Sequence, residues 1–340
     1  PWEPEGPLPP LLAQLRDLGE AGFVIFSSGS SGTPKAVLHS APRFLSKYRT
    51  ANKTFRTLAF LVFDHIAGLD TLFYSLFSGG LLVVPELRTP VHVCQLMERW
   101  KVQVLPTSPS FLNLLLLSGA HRDFDLSSLR IITYGSEPMA PHTLERLNRE
   151  FPEVSLVQKY GTSEFGSPSS RSRGNEELWI KLDSETFQTR VEDGILWVRS
   201  PTTMLGYLNA PYEITRDGWI CTGDRVEVDG EWVRVLGRDS ELINVGGEKA
   251  FPAEIEAVLT AHPAVEDALV TGEPNPILGT VVAALVRTRE EPADPGALRR
   301  ELRSHARAHL EPWKVPARFT FTPESLAGRR HKKERSKSPG

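Results

Sequence analysis

The sequence predicts an α/β protein: a layered N-terminal domain with a largely parallel sheet and a β-rich part, followed by a small α+β unit. Three observations carry this prediction. Up to about residue 190, short apolar runs alternate with helical patterns, the order that builds a parallel sheet with covering helices. After that point the texture turns to hairpins. From Pro252 onward the order is helix, two strands, charged helix, strand.

The first apolar run, FVIF at 23–26, reads as a core strand, and the next seven residues are only Ser, Gly and Thr. Gly29 and Gly32 permit backbone angles that turn successive N–H groups inward. Ser27, Ser28, Ser30, Ser31 and Thr33 add hydroxyls and Lys35 a charge, so the loop suits phosphate oxygens. The spacing is not that of the Walker loop, because Thr33 and Pro34 separate Gly32 from Lys35. A flexible linker is the plain alternative, but linkers seldom follow a buried strand or end in Pro-Lys.

Residues 59–63, 81–84, 102–105, 129–133 and 154–157 read as further strands. Residues 91–100, 110–117 and Pro141–Glu150 read as helices, the last opening on proline. Residues 191–200 and 217–237 read as hairpins, the second turning at Asp229-Gly230 between alternating apolar positions. Beyond Pro252 the expected strands are 267–271, 280–287 and Arg318–Thr322, with a helix over 295–310.

At 340 residues the chain holds a full core and divides into two or more domains. With 40% hydrophobic and 24% charged residues and a net charge of −3, it has no global pull towards nucleic acid or an anionic membrane. The apolar runs are too short to cross a bilayer. Two cysteines, Cys94 and Cys221, give neither a disulfide framework nor a metal cluster, which favours a reducing cytoplasm.

Three later motifs make the phosphate loop specific: KYGTSEFG at 159–166, WICTGD at 219–224 and GRDSELINVGGEKAFPAEIE at 237–256. In this order behind SSGSSGTPK they resemble the adenylate-forming superfamily of acyl-CoA synthetases, aryl-acid ligases and peptide-synthetase adenylation domains. The resemblance runs from about Phe23 to the C-terminus. It implies an N-terminal AMP-binding domain, 1–236, whose α/β core reaches about 190 and whose β-rich part spans 191–236, and a mobile C-terminal lid, 237–340, pivoting at 238–240. It also implies a magnesium-dependent reaction in which a small carboxylic acid attacks the α-phosphate of ATP and releases pyrophosphate. Thioester formation with CoA, or with the phosphopantetheine of an acyl carrier protein, would follow. Both reactants are anions, so catalysis rests on charge neutralisation and alignment.

By this resemblance, Ser27 to Lys35 hold the β- and γ-phosphates, Ser163 meets the α-phosphate and Glu164 binds Mg²⁺. Tyr160, with Gly161 and Thr162 beside it, stacks on the adenine, and Gly135, Ser136 and Glu137 line the purine pocket. Asp224 accepts from the ribose hydroxyls and Arg238 assists there. VFDHIAGLDTLF at 62–73 matches the acyl-pocket motif: His65 is the candidate gate, Gly68 allows close helix packing, and Asp64 keeps an amino-acid substrate open. Gly246 and Gly247 would approach the pantetheine arm. Singly, these residues have ordinary structural alternatives: Tyr160 a core ring, Glu164 a helix N-terminal acid, Asp224 a turn residue, Asp64 and His65 strand-end polar groups.

The chain departs from the family pattern twice. Typical members carry a further N-terminal subdomain, on the order of a third of the chain, before the phosphate loop. Here about twenty residues precede it, so the expectation is a compact variant or a wall supplied by another chain. The lid lysine normally follows a glycine, but Arg329 follows Gly328, with Lys332 and Lys333 further on. The planar fork of Arg329 is a poor substitute for a compact ammonium, so the sequence favours Lys332 or Lys333; a solvated basic tail is the alternative. A catalytically weak nucleotide-binding protein of the same fold is the rival from another class.

Overall fold

The computed structural model describes residues 8–27, 34–49, 53–182, 187–212 and 217–326. Ser28, Gly29, Ser30, Ser31, Gly32 and Thr33 of the expected phosphate loop lie outside the described residues, as do Arg329, Lys332 and Lys333.

The α/β core is a parallel sheet in the order Leu81–Val83, Arg56–Leu58, Val104–Thr107, Ile131–Gly135, Ser155–Lys159. Helices Ile66–Phe77, Pro90–Trp100, Pro109–Ser118 and Pro141–Glu150 are interleaved with its strands. Three of them open on proline, which lacks an N–H that the first helical turn would leave unpaired anyway. Thr89 and Ser108 accept from the backbone N–H groups of His92 and Phe111, capping two of these starts. Leu58, Val93, Leu105, Phe111, Leu115, Ile132 and Leu147 are wholly buried between sheet and helices. The carboxyl ends of the last two strands, at Gly135 and Lys159, are where an open parallel sheet offers a ligand crevice.

Several sequence expectations need correction. The strands at 104–107, 131–135 and 155–159 begin one or two residues after the apolar runs that predicted them. Val102 and Leu129 are buried, but their N–H groups bond back to Met97 and Leu126 in turns that precede the ladder. The strand expected at 59–63 is Arg56–Leu58; Ala59 gives one more bond to Val83 before the chain leaves the sheet. FVIF is not a core strand. It belongs to Gly22–Ser27, which pairs antiparallel with Lys35–Ser40, and only Ile25 is buried while Phe26 is 57% exposed. A hairpin with one open face alternates, so four consecutive apolar residues cannot all face inward.

That hairpin and Gly206–Tyr207 make a three-stranded sheet. A six-stranded antiparallel sheet follows the order Gln188–Glu192, Ile195–Arg199, Ile220–Asp229, Trp232–Arg238, Ile180–Leu182, Ser170–Ser172. Its long hairpin turns on Gly230-Glu231 rather than Asp229-Gly230, since Asp229 pairs with Trp232 and Gly230 takes a φ of 59°. Trp232–Arg238 therefore runs past residue 236. The C-terminal part packs helices Pro252–Thr260 and Pro295–His309 on Val265–Asn275, Gly279–Thr288 and Arg318–Thr322, around its own core of Ile255, Leu259, Val270, Val286 and Leu302.

Gly68 shows how closely Ile66–Phe77 approaches the segment before it. A Cβ at this position would lie 1.9 Å from the Val62 carbonyl oxygen. Gly68→Ala is expected to cost about 1–3 kcal/mol or more through forced backbone displacement, read as a lower urea midpoint; an unchanged midpoint would show that the 61–62 backbone yields freely.

Candidate active site

The segment Tyr160 to Ser167 joins the parallel sheet to both antiparallel sheets. It closes on itself through paired backbone bonds, Thr162 N–H to Gly166 O at 3.1 Å and Gly166 N–H to Thr162 O at 2.9 Å. A Cβ at Gly161 would come within 2.5 Å of Gly166 O, so glycine is required there. Outward bonds then fix the turn. The Ser163 carbonyl lies 2.7 Å from His39 Nε2, the Glu164 carbonyl accepts from Met204 N–H at 2.7 Å, and the Phe165 carbonyl accepts from Thr202 Oγ1 at 2.6 Å.

These ties bring the motif residues into two groups. In the first, the Tyr160 hydroxyl donates to Asp224 Oδ2 at 2.7 Å, while Arg238 Nε stands 2.9 Å from Asp224 Oδ1. Asp224 and Arg238 are direct cross-strand partners, so the Gly230 turn is what places WICTGD opposite GRD. Burial pushes the Asp224 carboxyl up, and Arg238 pulls it back. Burial pushes the Tyr160 hydroxyl far up, so it stays protonated and donates. In the second group, Tyr207 Oη donates to Glu164 Oε1 at 2.6 Å, and the Lys35 ammonium stands 4.9 Å from the Tyr207 ring centre. Lys35 opens the strand directly after the glycine-serine segment, and Ser27 closes the strand before it.

Ser136 and Glu137 follow the Ile131–Gly135 strand. Ser136 has a φ of 73°, a left-handed conformation a side chain adopts at some cost. Glu137 Oε1 accepts from Ser110 N–H at 2.6 Å, at the start of Pro109–Ser118. Gly135 meets the neighbouring strand so closely that a Cβ would sit 2.4 Å from Lys159 O. His65 caps Ile66–Phe77, its Nδ1 accepting from Ala67 N–H at 3.3 Å. Asp64 is exposed.

A cavity of about 430 Å³ opens beside the first group. Ser136, Glu137, Tyr160, Thr162, Asp224 and Arg238 line it from one side, and Glu256, Thr260 and Ser325 from the C-terminal part. Ser163, Glu164, Lys35, His65 and Gly135 do not line it, nor do the exposed Gly246 and Gly247. Among the described residues no group of three or more His, Cys, Asp or Glu side chains is arranged to hold a metal. A lone carboxylate such as that of Glu164 is a donor that suits an ion held mostly by phosphate oxygens and water.

Sequence reasoning missed His39 and Tyr207. His39 is 1% exposed, stacks on Phe23 at 5.3 Å and stands edge-on to Phe44. Burial lowers its pKa below the ordinary 6.5, so the neutral ring donates from Nε2 to the Ser163 carbonyl. The one signal in the sequence is a titratable residue inside the apolar stretch AVLH. Because the folded-state value is lowered, the unfolded chain binds the extra proton first as pH falls below 6.5. Stability is therefore full above 6.5 and declines between there and the folded-state value. Wild type should lose urea stability from pH 7.5 to 5.5 more steeply than His39→Gln, whose amide keeps a donor but does not titrate. Equal slopes would remove His39 from the account; His305, also lowered by burial, is common to both chains.

The AMP-binding enzyme family model matches residues 10–208, and the AMP-binding enzyme C-terminal domain model matches 254–333. Among curated proteins the chain is 29% identical over 327 residues to a dioxo-octahydro-indenyl-propanoyl:CoA ligase of Mycobacterium tuberculosis, covering 90% of this chain and 64% of that protein. It is 31% identical over 299 residues to 4-coumarate–CoA ligase 4 of Arabidopsis thaliana, covering 77% and 52%. Among solved structures, the amide bond synthetase McbA from Marinactinospora thermotolerans superposes with a TM-score of 0.76 at 26% identity, over 92% of this chain and 67% of that one. ATP-bound MatB from Rhodopseudomonas palustris superposes with 0.79 at 23% identity, over 91% and 65%, which is a likeness of fold. The chain spans between about half and two thirds of the length of these curated relatives.

Proposed function

The chain belongs to the AMP-binding enzyme family, and on that premise we propose that it activates a small carboxylic acid with ATP as an acyl- or aryl-adenylate and then passes the acyl group to a thiol. The observation that carries this reading is the pair of clusters, Tyr160–Asp224–Arg238 and Tyr207–Glu164, held by one turn beside the 430 Å³ cavity. In the first step an acid oxygen bonds to the α-phosphorus while the bond to the bridging pyrophosphate oxygen breaks. Ser136, Glu137 and Tyr160 would receive the purine, and Asp224 with Arg238 the ribose. The ribose hydroxyls would replace one of the bonds Asp224 now makes. The Ser27–Lys35 segment would hold the outer phosphates and Ser163 the α-phosphate. Glu164 would hold Mg²⁺, which when bound neutralises phosphate charge.

The step needs a further cation near the acid and the α-phosphate. Ser325 lines the cavity, four residues before Arg329 and eight before Lys333. Of the expected cations Arg329, Lys332 and Lys333 that follow it, Lys332 or Lys333 is preferred for its compact charge. Rotation of a lid, residues 237–340, about 238–240 would then bring Gly246 and Gly247 to the thiol acceptor, CoA or a carrier-protein phosphopantetheine. His65 would gate the acid. An amino-acid substrate, its ammonium met by Asp64, is the alternative. Two free cysteines fit a reducing cytoplasm.

The test is acid-dependent pyrophosphate release across a panel of carboxylic acids. Glu164→Gln should lower it about 10²-fold or more, the scale of a lost transition-state electrostatic contact, with the deficit greatest at limiting Mg²⁺ and the fold intact. A chain ending at Gly328 should show a similar loss in adenylation yet still form thioester from supplied acyl-adenylate. Unchanged release by Glu164→Gln at limiting Mg²⁺ would remove Glu164 from the metal site, and no release with any acid would overturn the reading.

A further inference from the structure

Lys159 ends the Ser155–Lys159 strand, lines the cavity and directly precedes Tyr160. Its surroundings hold one carboxylate, Asp70, and one other ammonium group, Lys47. Asp70 is already engaged: its Oδ1 accepts from Lys47 Nζ and from Tyr48 Oη at 2.6 Å, and Lys47 also donates to the Ser167 carbonyl at 2.6 Å. Lys159 makes no ion pair or side-chain hydrogen bond among the described residues. Burial lowers its pKa, Asp70 supports its charge and Lys47 opposes it. Charges drawn out of water are ordinarily paired, and here the one carboxylate of Asp70 stands against the two ammonium groups of Lys47 and Lys159, with Lys47 the one it bonds.

We propose that Lys159 is a specificity residue that receives a second anionic group on the acid, so that the substrate class is a short dicarboxylic acid or an acid with an equivalent anion. The proposal rests on the adenylation reading above. Thr162, at the turn where the reacting carboxylate would meet the α-phosphate, also lines the cavity. Tyr160 and Gly161 alone separate it from Lys159, a span of at most about 10 Å along the backbone. An acid with its two anions a few carbons apart fits between them. The second anion would pair with Lys159, which is partly buried at the cavity wall.

The experiment compares matched acids that differ in one charge: succinate, adipate and phthalate against their monomethyl esters. Acid-dependent pyrophosphate release and thermal stabilisation of the full chain by each acid in the presence of ATP are read together. Wild type should favour the diacid of each accepted pair at least 10-fold in kcat/KM and be stabilised by it more than by the ester. Lys159→Met should lose that preference mainly through KM, with turnover of the esters retained. Lys159→Gln, which keeps hydrogen-bond donors, serves if the Met variant does not fold, and should show the same loss. Equal stabilisation of wild type by diacids and esters would overturn the assignment, as would an equal loss on both classes in the variants, the mark of a lysine that only balances Asp70. Diacid-selective stabilisation that depends on Lys159, without pyrophosphate release, would uphold the anion site and overturn the adenylation reading alone.

Discussion

The turn from Tyr160 to Ser167 is the constraint on which the rest of the molecule depends. Three sheets meet at it, and each is tied to it by bonds that leave little freedom. The parallel sheet feeds it directly through Lys159. The three-stranded sheet reaches it through His39 and Tyr207, and the six-stranded sheet through Asp224. Gly161 and Gly166 let the chain fold back within seven residues, and Met204 and Thr202 satisfy the carbonyls that this exposes. Buried carbonyls of this kind cost about 1–3 kcal/mol each if left unpaired, so the turn and its neighbours stand or fall together.

The same geometry answers an electrostatic difficulty. A site for nucleotide phosphates and a carboxylate, as proposed, would have to be positive, yet Asp224 and Glu164 would bring negative charge into it. Each of these acids is held by a tyrosine hydroxyl, Tyr160 for Asp224 and Tyr207 for Glu164, and Arg238 adds a cation to the more buried one. A hydroxyl donor steadies a carboxylate without bringing a second charge that would compete with substrate or metal. Lys159 is the complementary case, a cation that Asp70 supports but that makes no ion pair among the described residues.

Much of this was legible in the sequence because it is written locally. KYGTSEFG places its residues on one turn whatever the distant contacts, and the Asp224–Arg238 pair follows from a glycine turn whose Gly230 lies six residues from one and eight from the other. The alternation of apolar runs and proline-headed helices fixes the layered core. What stayed hidden depends on distance along the chain. His39 lies 124 positions from the serine whose carbonyl it holds, and Tyr207 lies 43 from Glu164, so no spacing rule joins them. The FVIF run misled because composition reports apolarity and not which face has a partner; Ile25 and, in part, Phe23 find one, while Val24 and Phe26 are exposed. Val102 and Leu129 misplaced strand edges for a related reason, since a residue can be buried in the turn before a ladder as well as within it.

The central claim is that an acid oxygen bonds to the α-phosphorus of ATP. It is tested most directly by supplying an accepted carboxylic acid labelled with ¹⁸O in both carboxylate oxygens and recovering AMP after thiol transfer. The account predicts AMP carrying one ¹⁸O atom, because the acyl–oxygen bond breaks when the thiol attacks and the bridging oxygen leaves with the phosphate. Unlabelled AMP, or label recovered in inorganic phosphate beside ADP, would contradict it.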